Sequence, residues 1–364
     1  MPEYNGFTLE PVKNGYRITM CRSQAATITI PSSYNGKPIT ELHCTDLLGV
    51  FQYLPNLTSI TIPSSVAYIG NYTFKGCTKL KSVTLPPSLT AIGDSAFIGC
   101  TALQSVTIGN AVTSIGNGAF SGCTSLQSLT LGSSVVTVGT SAFSGCTALQ
   151  SVTIPSSVVS IGVDAFAGCT SLRSVTFGSG LVGIGAGAFR GSGLTSVTIP
   201  NSVTGMGPGA FSACPNLQSV VISDAMPRLP QKAFEKCVAL SSFKIGKIVA
   251  KIGSAAFSGC RSIKTLTVAG AVKRIEAGAF SECGITNLTI GSGVRFIANT
   301  AFSKCPLASV KFESPTGWKQ PGARMFILDL DKEPAPSDVS DYILKDPAMA
   351  AKFMTQGRRG DMFK

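Results

Sequence analysis

The apolar positions of this chain repeat one figure: an alternating stretch, a second apolar pair, then an Ala-Phe step bracketed by glycine. In the unit from Leu103 to Cys123, LQSVTIGNAVTSIGNGAFSGC, the residues Leu103, Val106 and Ile108 follow an L-x-x-L-x-L spacing. That spacing predicts a short parallel strand with those three side chains inward, so Ser105 and Thr107 face out. Val112 and Ile115 form a second inward cluster on the return path, and Phe120 plugs the bend of its coil. Gly116 and Gly122 are expected to supply sharp turns on either side of Ala119-Phe120, because glycine accepts backbone conformations that a Cβ penalises.

The figure recurs with a nearly fixed period. Phenylalanine stands at 51, 74, 97, 120, 143, 166, 189, 211, 234, 257, 280 and 302, with nine intervals of 23 residues and two of 22. Such a period has one physical cause, a coil repeated in register, since no single coil can bury its own apolar face. Stacking multiplies the outward positions into two hydroxyl columns: Ser59/Thr61, Ser82/Thr84, Ser105/Thr107, Ser128/Thr130, Ser151/Thr153, Ser174/Thr176 and Ser196/Thr198. Strands about 4.8 Å apart give a stack roughly 50 Å long.

A stacked array needs its ends covered. Residues 1–45 are expected to form an N-terminal cap. It holds a hairpin of Phe7-Thr8-Leu9 with Tyr16-Arg17-Ile18-Thr19 turned at Asn14-Gly15, a strand from Ala26 to Ile30, and an Ile39-Thr40-Glu41-Leu42 segment. Residues 46–312 then hold twelve Phe-anchored coils, and 313–364 a C-terminal cap or tail. In that tail Asp346-Pro347 predicts a helix start, with Ala348 to Met354 continuing it and Gly357 ending it.

Composition separates two ways of being this apolar. Mean hydropathy is +0.31 and only 13% of residues are charged, values that suit a membrane protein or a regular buried stack. Ser, Thr or Gly interrupts every hydrophobic run well short of the roughly 18–20 residues of a spanning helix, so no transmembrane segment is expected. The N-terminus, MPEYNGFTLEPVKNGYRITM, has no charged leader, apolar core or cleavage site. The chain is therefore expected at the cell surface or secreted if an export signal has been removed, and in the cytoplasm if Met1 is the native start. The net charge of +12 is regional: between Ser82 and Ser171 the only charges are Asp94 and Asp164, whereas Arg228 to Lys311 carries 13 Lys or Arg against three Glu.

Catalytic and metal chemistry find little footing. Ten of the twelve cysteines sit three residues after an anchor Phe, which makes them a packing column rather than a disulfide framework. Ser192 fills that column in a shortened interval, and Cys21 and Cys44 alone stand outside it as a conceivable pair. No C-x-x-C exists for zinc, and with His43 the sole histidine, Ser or Cys nucleophiles are expected to lack their usual base. Asp329, Asp331 and Glu333 lack the glycine and distal Glu of a calcium loop. Gly178-Ser179-Gly180-Leu181-Val182-Gly183 spells a dinucleotide fingerprint but leads into the next Phe wedge instead of a helix. Arg359-Gly360-Asp361 spells an integrin tripeptide that three-residue chance also supplies, and Asn56, Asn71 and Asn287 head glycosylation sequons. The reading carries no enzyme activity, no cofactor and no metal.

The basic region is where contact is expected. Arg228, Lys251 and Arg274 recur six residues before successive anchor phenylalanines, with Lys273 and Arg295 one place earlier, predicting a ladder at roughly 5 Å spacing. Like charges so close require an anion or acidic partner to offset them, or else form a solvated edge that deters aggregation. On the strand face, the regular hydroxyls give way to Lys244, Lys264, Asn287 and Lys311. These nine residues are the candidate partner-binding set.

The unit SLTAIGDSAFIGCTALQSVTIG, with its IGxxAFxxC core, resembles the BspA-like, treponemal-type (type 5) leucine-rich repeats over residues 26–312. Tyr34-Asn-Gly-Lys-Pro-Ile-Thr40 resembles the first coil of such proteins, and Trp318 with ILKDPAMAAKFMT their terminal module. The resemblance implies a right-handed leucine-rich-repeat superhelix of about 23-residue coils with a parallel β-sheet on one face, otherwise irregular, plus the small helical C-terminal segment. It implies no active site, and a scaffold that adheres to a protein of the host matrix or a cell surface; the chain is expected to be a monomer. The alternative is a polyanion, a sulfated glycan before nucleic acid, held by the basic C-terminal coils.

Overall fold

The structure is a computed structural model that describes residues 2–44, 49–268 and 270–313. The tail features, namely the Asp346-Pro347 helix, Trp318, the Asp329 group and Arg359-Gly360-Asp361, lie outside the described residues. The chain divides into two compact units, Met1–Leu194 and Thr195–Lys364, at the shortened interval between Phe189 and Phe211. No helix occurs among the described residues.

The first unit opens with antiparallel strands. Glu3–Tyr4 pairs with Phe7–Val12 across Asn5-Gly6, and Phe7–Val12 pairs with Gly15–Cys21 from Phe7↔Cys21 to Val12↔Gly15. The second turn falls on Lys13-Asn14, one residue earlier than expected, so that Gly15 already belongs to the strand. A further hairpin, Ser33–Tyr34 with Lys37–Leu42, closes on Asn35-Gly36, both in the left-handed region that a tight primed turn demands.

Two parallel ladders follow. The expected one joins Thr27–Thr29, Ser59–Thr61, Ser82–Thr84, Ser105–Thr107 and Ser128–Thr130, and continues as the pair Ser151–Ile154 and Ser174–Phe177. Alternation is as expected: Val106 is buried while Ser105 and Thr107 are exposed. The return path, expected only to turn its apolar pair inward, forms a second ladder of two-residue strands. It runs from Lys37–Leu42 through Tyr68–Ile69, Ala91–Ile92, Ser114–Ile115, Thr137–Val138 and Ser160–Ile161 to Gly183–Ile184. The N-terminal hairpin extends this second ladder through Gly15–Cys21.

The second unit has the same two components. Ser196–Thr198, Ser219–Val221 and Ser242–Lys244 form one parallel group, and Thr265–Val268, Asn287–Ile290 and Ser309–Phe312 another. On its return path Arg228–Leu229, Lys251–Ile252, Arg274–Ile275 and Phe296–Ile297 pair in register.

Each unit is organised around its phenylalanine column. All twelve anchor rings are fully buried. In the first unit, neighbours from Phe51 to Phe189 stack with ring centroids 4.8–5.4 Å apart, and Phe7 of the hairpin closes the column edge-on against Phe51 at 6.3 Å. In the second unit, Phe211 to Phe302 stack at 5.2–5.7 Å. The backbone there is also bonded along the stack: Phe97 N–H donates to Ala119 O at 2.7 Å, and Phe234 N–H to Ala256 O at 2.7 Å. Burial of each ring contributes about 2–3 kcal/mol.

The two glycines of the repeat have different duties. Gly122 has φ of 72°, the left-handed turn expected of it. Gly116 does not: a Cβ there would lie 2.5 Å from the backbone carbon of Gly93 in the preceding coil. Its column permits close approach of neighbouring coils, and the left-handed residue before the wedge is Gly118, with φ of 60°.

Candidate functional site

The cysteine column is satisfied from within. Buried Sγ atoms donate to the carbonyl of the anchor Phe one coil back at 2.9–3.3 Å, from Cys77 onto Phe51 O through Cys169 onto Phe143 O. In the second unit Cys237, Cys260, Cys283 and Cys305 do the same at 3.0–3.2 Å. This adds a reason to the packing argument: a thiol is small enough for the core and still carries a donor for an otherwise idle carbonyl lone pair. Burial pushes the Cys77 thiol up to about 11 and those of Cys169 and Cys260 up to about 12, so these groups are poor nucleophiles. Cys21 and Cys44 are free.

His43 sits against Tyr68, ring centroids 5.7 Å apart, and its Nδ1 is buried without a hydrogen-bond partner among the described residues. Burial and then the nearby Arg17 charge lower its pKa. Among the described residues, no three His, Cys, Asp or Glu gather as a metal-ligand group.

The nine candidate residues belong to two different ladders. Arg228, Lys251 and Arg274 stand in register on the return path of the second unit, as the spacing predicted. What the sequence reading missed is Glu276. Its carboxylate takes Lys251 Nζ at 2.9 Å and Arg274 Nε at 3.3 Å, bridging one coil to the next. Burial alone would raise the Glu276 pKa, but hydrogen bonds from Lys251 and Arg274 outweigh it and hold the carboxyl below the ordinary glutamate value. Arg274 also lies over the Phe296 ring, its Cζ 4.1 Å from the centroid. The charge repulsion inferred from spacing is thus offset internally for two of the three cations. Arg228 makes no ion pair among the described residues and is exposed. One place earlier, Arg295 folds back to donate Nη1 to Ser292 O at 2.6 Å and Val294 O at 3.2 Å, while Lys273 is exposed.

The other four lie at or beside the longer strands. Lys244 ends its strand and is exposed. Lys264 precedes Thr265, and its ammonium lies over Gly284 of the following coil, 2.8 Å from where a Cβ would stand. Asn287 accepts from Ser309 Oγ at 2.8 Å within the column Thr265, Asn287, Ser309, and Lys311 continues the column of Thr267 and Thr289. The structure therefore assembles no single pocket from the nine. It gives a return-path group centred on Glu276 and a strand-face group of scattered polar side chains.

A second cluster went unnoticed in the sequence. Tyr53 and Tyr72, both in the first unit, flank Lys75, whose ammonium is 5.5 and 5.1 Å from their ring centroids. The available signal was departure from the repeat, since Tyr53 stands where the next six coils have glycine.

No curated protein matches the chain. Among solved structures, a leucine-rich repeat protein from Bacteroides ovatus has TM-score 0.56 at 23% identity, covering 86% of this chain and 99% of its own. The pneumococcal vaccine antigen PcpA has TM-score 0.52 at 19% identity, covering 86% and 88%. Both likenesses concern the fold. A leucine rich cell surface protein from Faecalibacterium prausnitzii has TM-score 0.50 at 27% identity, covering 87% and 96%. The sequence model of the BspA type leucine rich repeat region matches residues 49–169, 137–264 and 250–327, with six copies. With the matched coils taking up most of its length, the chain belongs to the BspA-type leucine-rich-repeat family.

Proposed function

We propose that the protein is a non-catalytic adhesion scaffold that binds a protein of the extracellular matrix or of a cell surface. The observation that carries this reading is the strand face. Its outward side chains stand in register over successive coils, exposed, as in the Ser105↔Ser128 and Thr107↔Thr130 pairs. Regular hydroxyls offer many modest hydrogen bonds and no apolar anchor, so affinity resides where the columns change character, at Lys244, Lys264, Asn287 and Lys311. The Faecalibacterium relative, described as a cell surface protein, supports display outside the cell. Among the described residues no helix is long and apolar enough to cross a membrane.

The test is binding of the full chain to immobilised matrix proteins and to intact cells. Saturable capture that falls about tenfold in a Lys244→Ala, Lys264→Ala, Lys311→Ala variant is expected. Absence of any saturable partner sinks the reading.

A second reading, polyanion binding through the basic coils, is favoured by the in-register cations Arg228, Lys251 and Arg274. Glu276 already engages two of them, which leaves Arg228, Lys273 and Arg295 as the return-path cations without an ion pair among the described residues. This reading requires retention on a heparin column that weakens steeply with salt. Retention unchanged by Arg228→Glu with Lys273→Glu removes it.

A further inference from the structure

Two turn positions of the first unit carry tyrosine against the rule of the repeat. Two residues after the anchor Phe, successive coils have Gly76, Gly99, Gly122, Gly145, Gly168 and Gly191, all left-handed, yet Tyr53 holds that place with φ of 55°. Two residues before the anchor Phe, the later coils have Ser95, Gly118, Ser141, Asp164 and Gly187, whereas the coil of Phe74 has Tyr72 with φ of 58°. A bulky aromatic residue in the left-handed region is a backbone outlier, and such strain persists where the surroundings over-determine it.

The two exceptions meet at one spot. Tyr53 N–H donates to Lys75 O at 2.7 Å and Lys75 N–H to Tyr72 O at 2.9 Å, so the backbone ties the three residues together. The Lys75 ammonium lies within 5.5 Å of both ring centroids and makes no ion pair among the described residues. The Tyr53 ring lies over Gly76, where any Cβ would strike it, and Tyr53 is 57% exposed. The result is a surface cluster of an exposed and a half-buried tyrosine ring with one ammonium close to both.

We propose that Tyr53, Tyr72 and Lys75 form a binding site for a carboxylated sugar, of the sialic acid or uronic acid class. Such a ligand presents an apolar C–H face that matches an exposed aromatic ring, hydroxyls within reach of the phenols, and a carboxylate for the ammonium. A cationic ligand is repelled by Lys75, and an acidic peptide lacks the broad ring face that two tyrosines serve. The proposal does not rest on the adhesion reading.

The experiment measures binding of the full chain to sialyllactose, a glucuronate oligosaccharide, neutral lactose and a polyglutamate peptide by calorimetry. The repeat itself supplies safe variants: Tyr53→Gly and Tyr72→Ser restore residues that neighbouring coils already carry. The proposal expects saturable binding of at least one carboxylated sugar, with lactose and polyglutamate at least about tenfold weaker. Tyr53→Gly should cost at least about tenfold in affinity while the melting temperature holds or rises, because glycine relieves the left-handed strain. Lys75→Gln should abolish the preference for the charged sugar over lactose. The proposal is overturned if neither carboxylated sugar binds, if lactose or polyglutamate binds equally well, or if Tyr53→Gly leaves affinity unchanged.

Discussion

Two residues past the anchor phenylalanine, the first unit from Phe74 to Phe189 carries glycine in every coil, with φ between 69° and 72°. The second unit keeps the same left-handed turn but builds it from Ala213, Lys236, Gly259, Glu282 and Lys304, with φ of 54°, 61°, 77°, 56° and 59°. The turn is therefore a demand of the fold, and the residue at it is not. A non-glycine residue in that conformation costs about 1–2 kcal/mol, so the second unit carries its side chains at the expense of backbone comfort. Three of the four are charged, and Lys304 meets Glu282 at 2.7 Å. From Phe74 to Phe189 the first unit is close to a minimal scaffold along this edge, with Tyr53 the exception before it, and the second unit is a scaffold with chemistry added.

That contrast requires the cores to be equivalent, and the largest expected effect tests it. Phe143→Ala and Phe257→Ala each remove a fully buried ring from the middle of a stacked column. Both should cost about 3–5 kcal/mol, read by denaturant unfolding with hydrogen exchange to locate the loss. If one unit tolerates the truncation and the other does not, the shared-core premise fails.

Next in size comes the distinction between the two glycines. Gly116→Ala forces a Cβ to within 2.5 Å of the Gly93 backbone and should cost about 3 kcal/mol or more, because backbone on both sides must move. Gly122→Ala meets nothing nearer than 3.8 Å and bears only the conformational penalty, about 1 kcal/mol. Equal losses in thermal unfolding would show that the repeat does not separate close approach from turning.

The sequence carried the period, the inward residues and the first ladder because each rests on a residue type that one environment demands, phenylalanine at the bend and alternating Val or Ile in the strand. It did not separate Gly116 from Gly122, since a missing Cβ looks the same whether the reason is φ or crowding. The second ladder was hidden because strands of two residues, such as Ser114–Ile115, are too short to alternate. Eight candidate cations and one amide read as one basic region because each 23-residue coil visits both ladders, so neighbours in sequence part in space. Glu276 was equally opaque: it lies two residues from Arg274 but 25 from Lys251, and only stacking makes it their common partner.

The comparison sharpens most directly by exchanging the turn residues. Gly122→Lys in the first unit should lose about 1 kcal/mol, and Lys236→Gly in the second should gain up to about the same. Opposite shifts in unfolding midpoint are the expected result. A loss for Lys236→Gly would mean that its side chain contributes more to folding than its backbone conformation costs.

The smallest effect concerns the charge bridge that Glu276 makes in the second unit. Glu276→Gln leaves a hydrogen-bond acceptor but removes the negative charge between Lys251 and Arg274. Those cations are about half exposed, at 47% and 51%, so the loss should stay under about 1 kcal/mol near neutral pH. The sign with pH follows from the lowered folded-state pKa of Glu276. Its contribution is fully present above the ordinary glutamate value of about 4.3 and is lost as pH falls through the lower folded value. Hydrogen exchange across residues 251–276 should thus separate wild type from Glu276→Gln at neutral pH and bring them together below that window. A difference that persists there, or that grows, would mean Glu276 acts through packing and not through charge, and the second unit's basic ladder would then stand without an internal counter-ion.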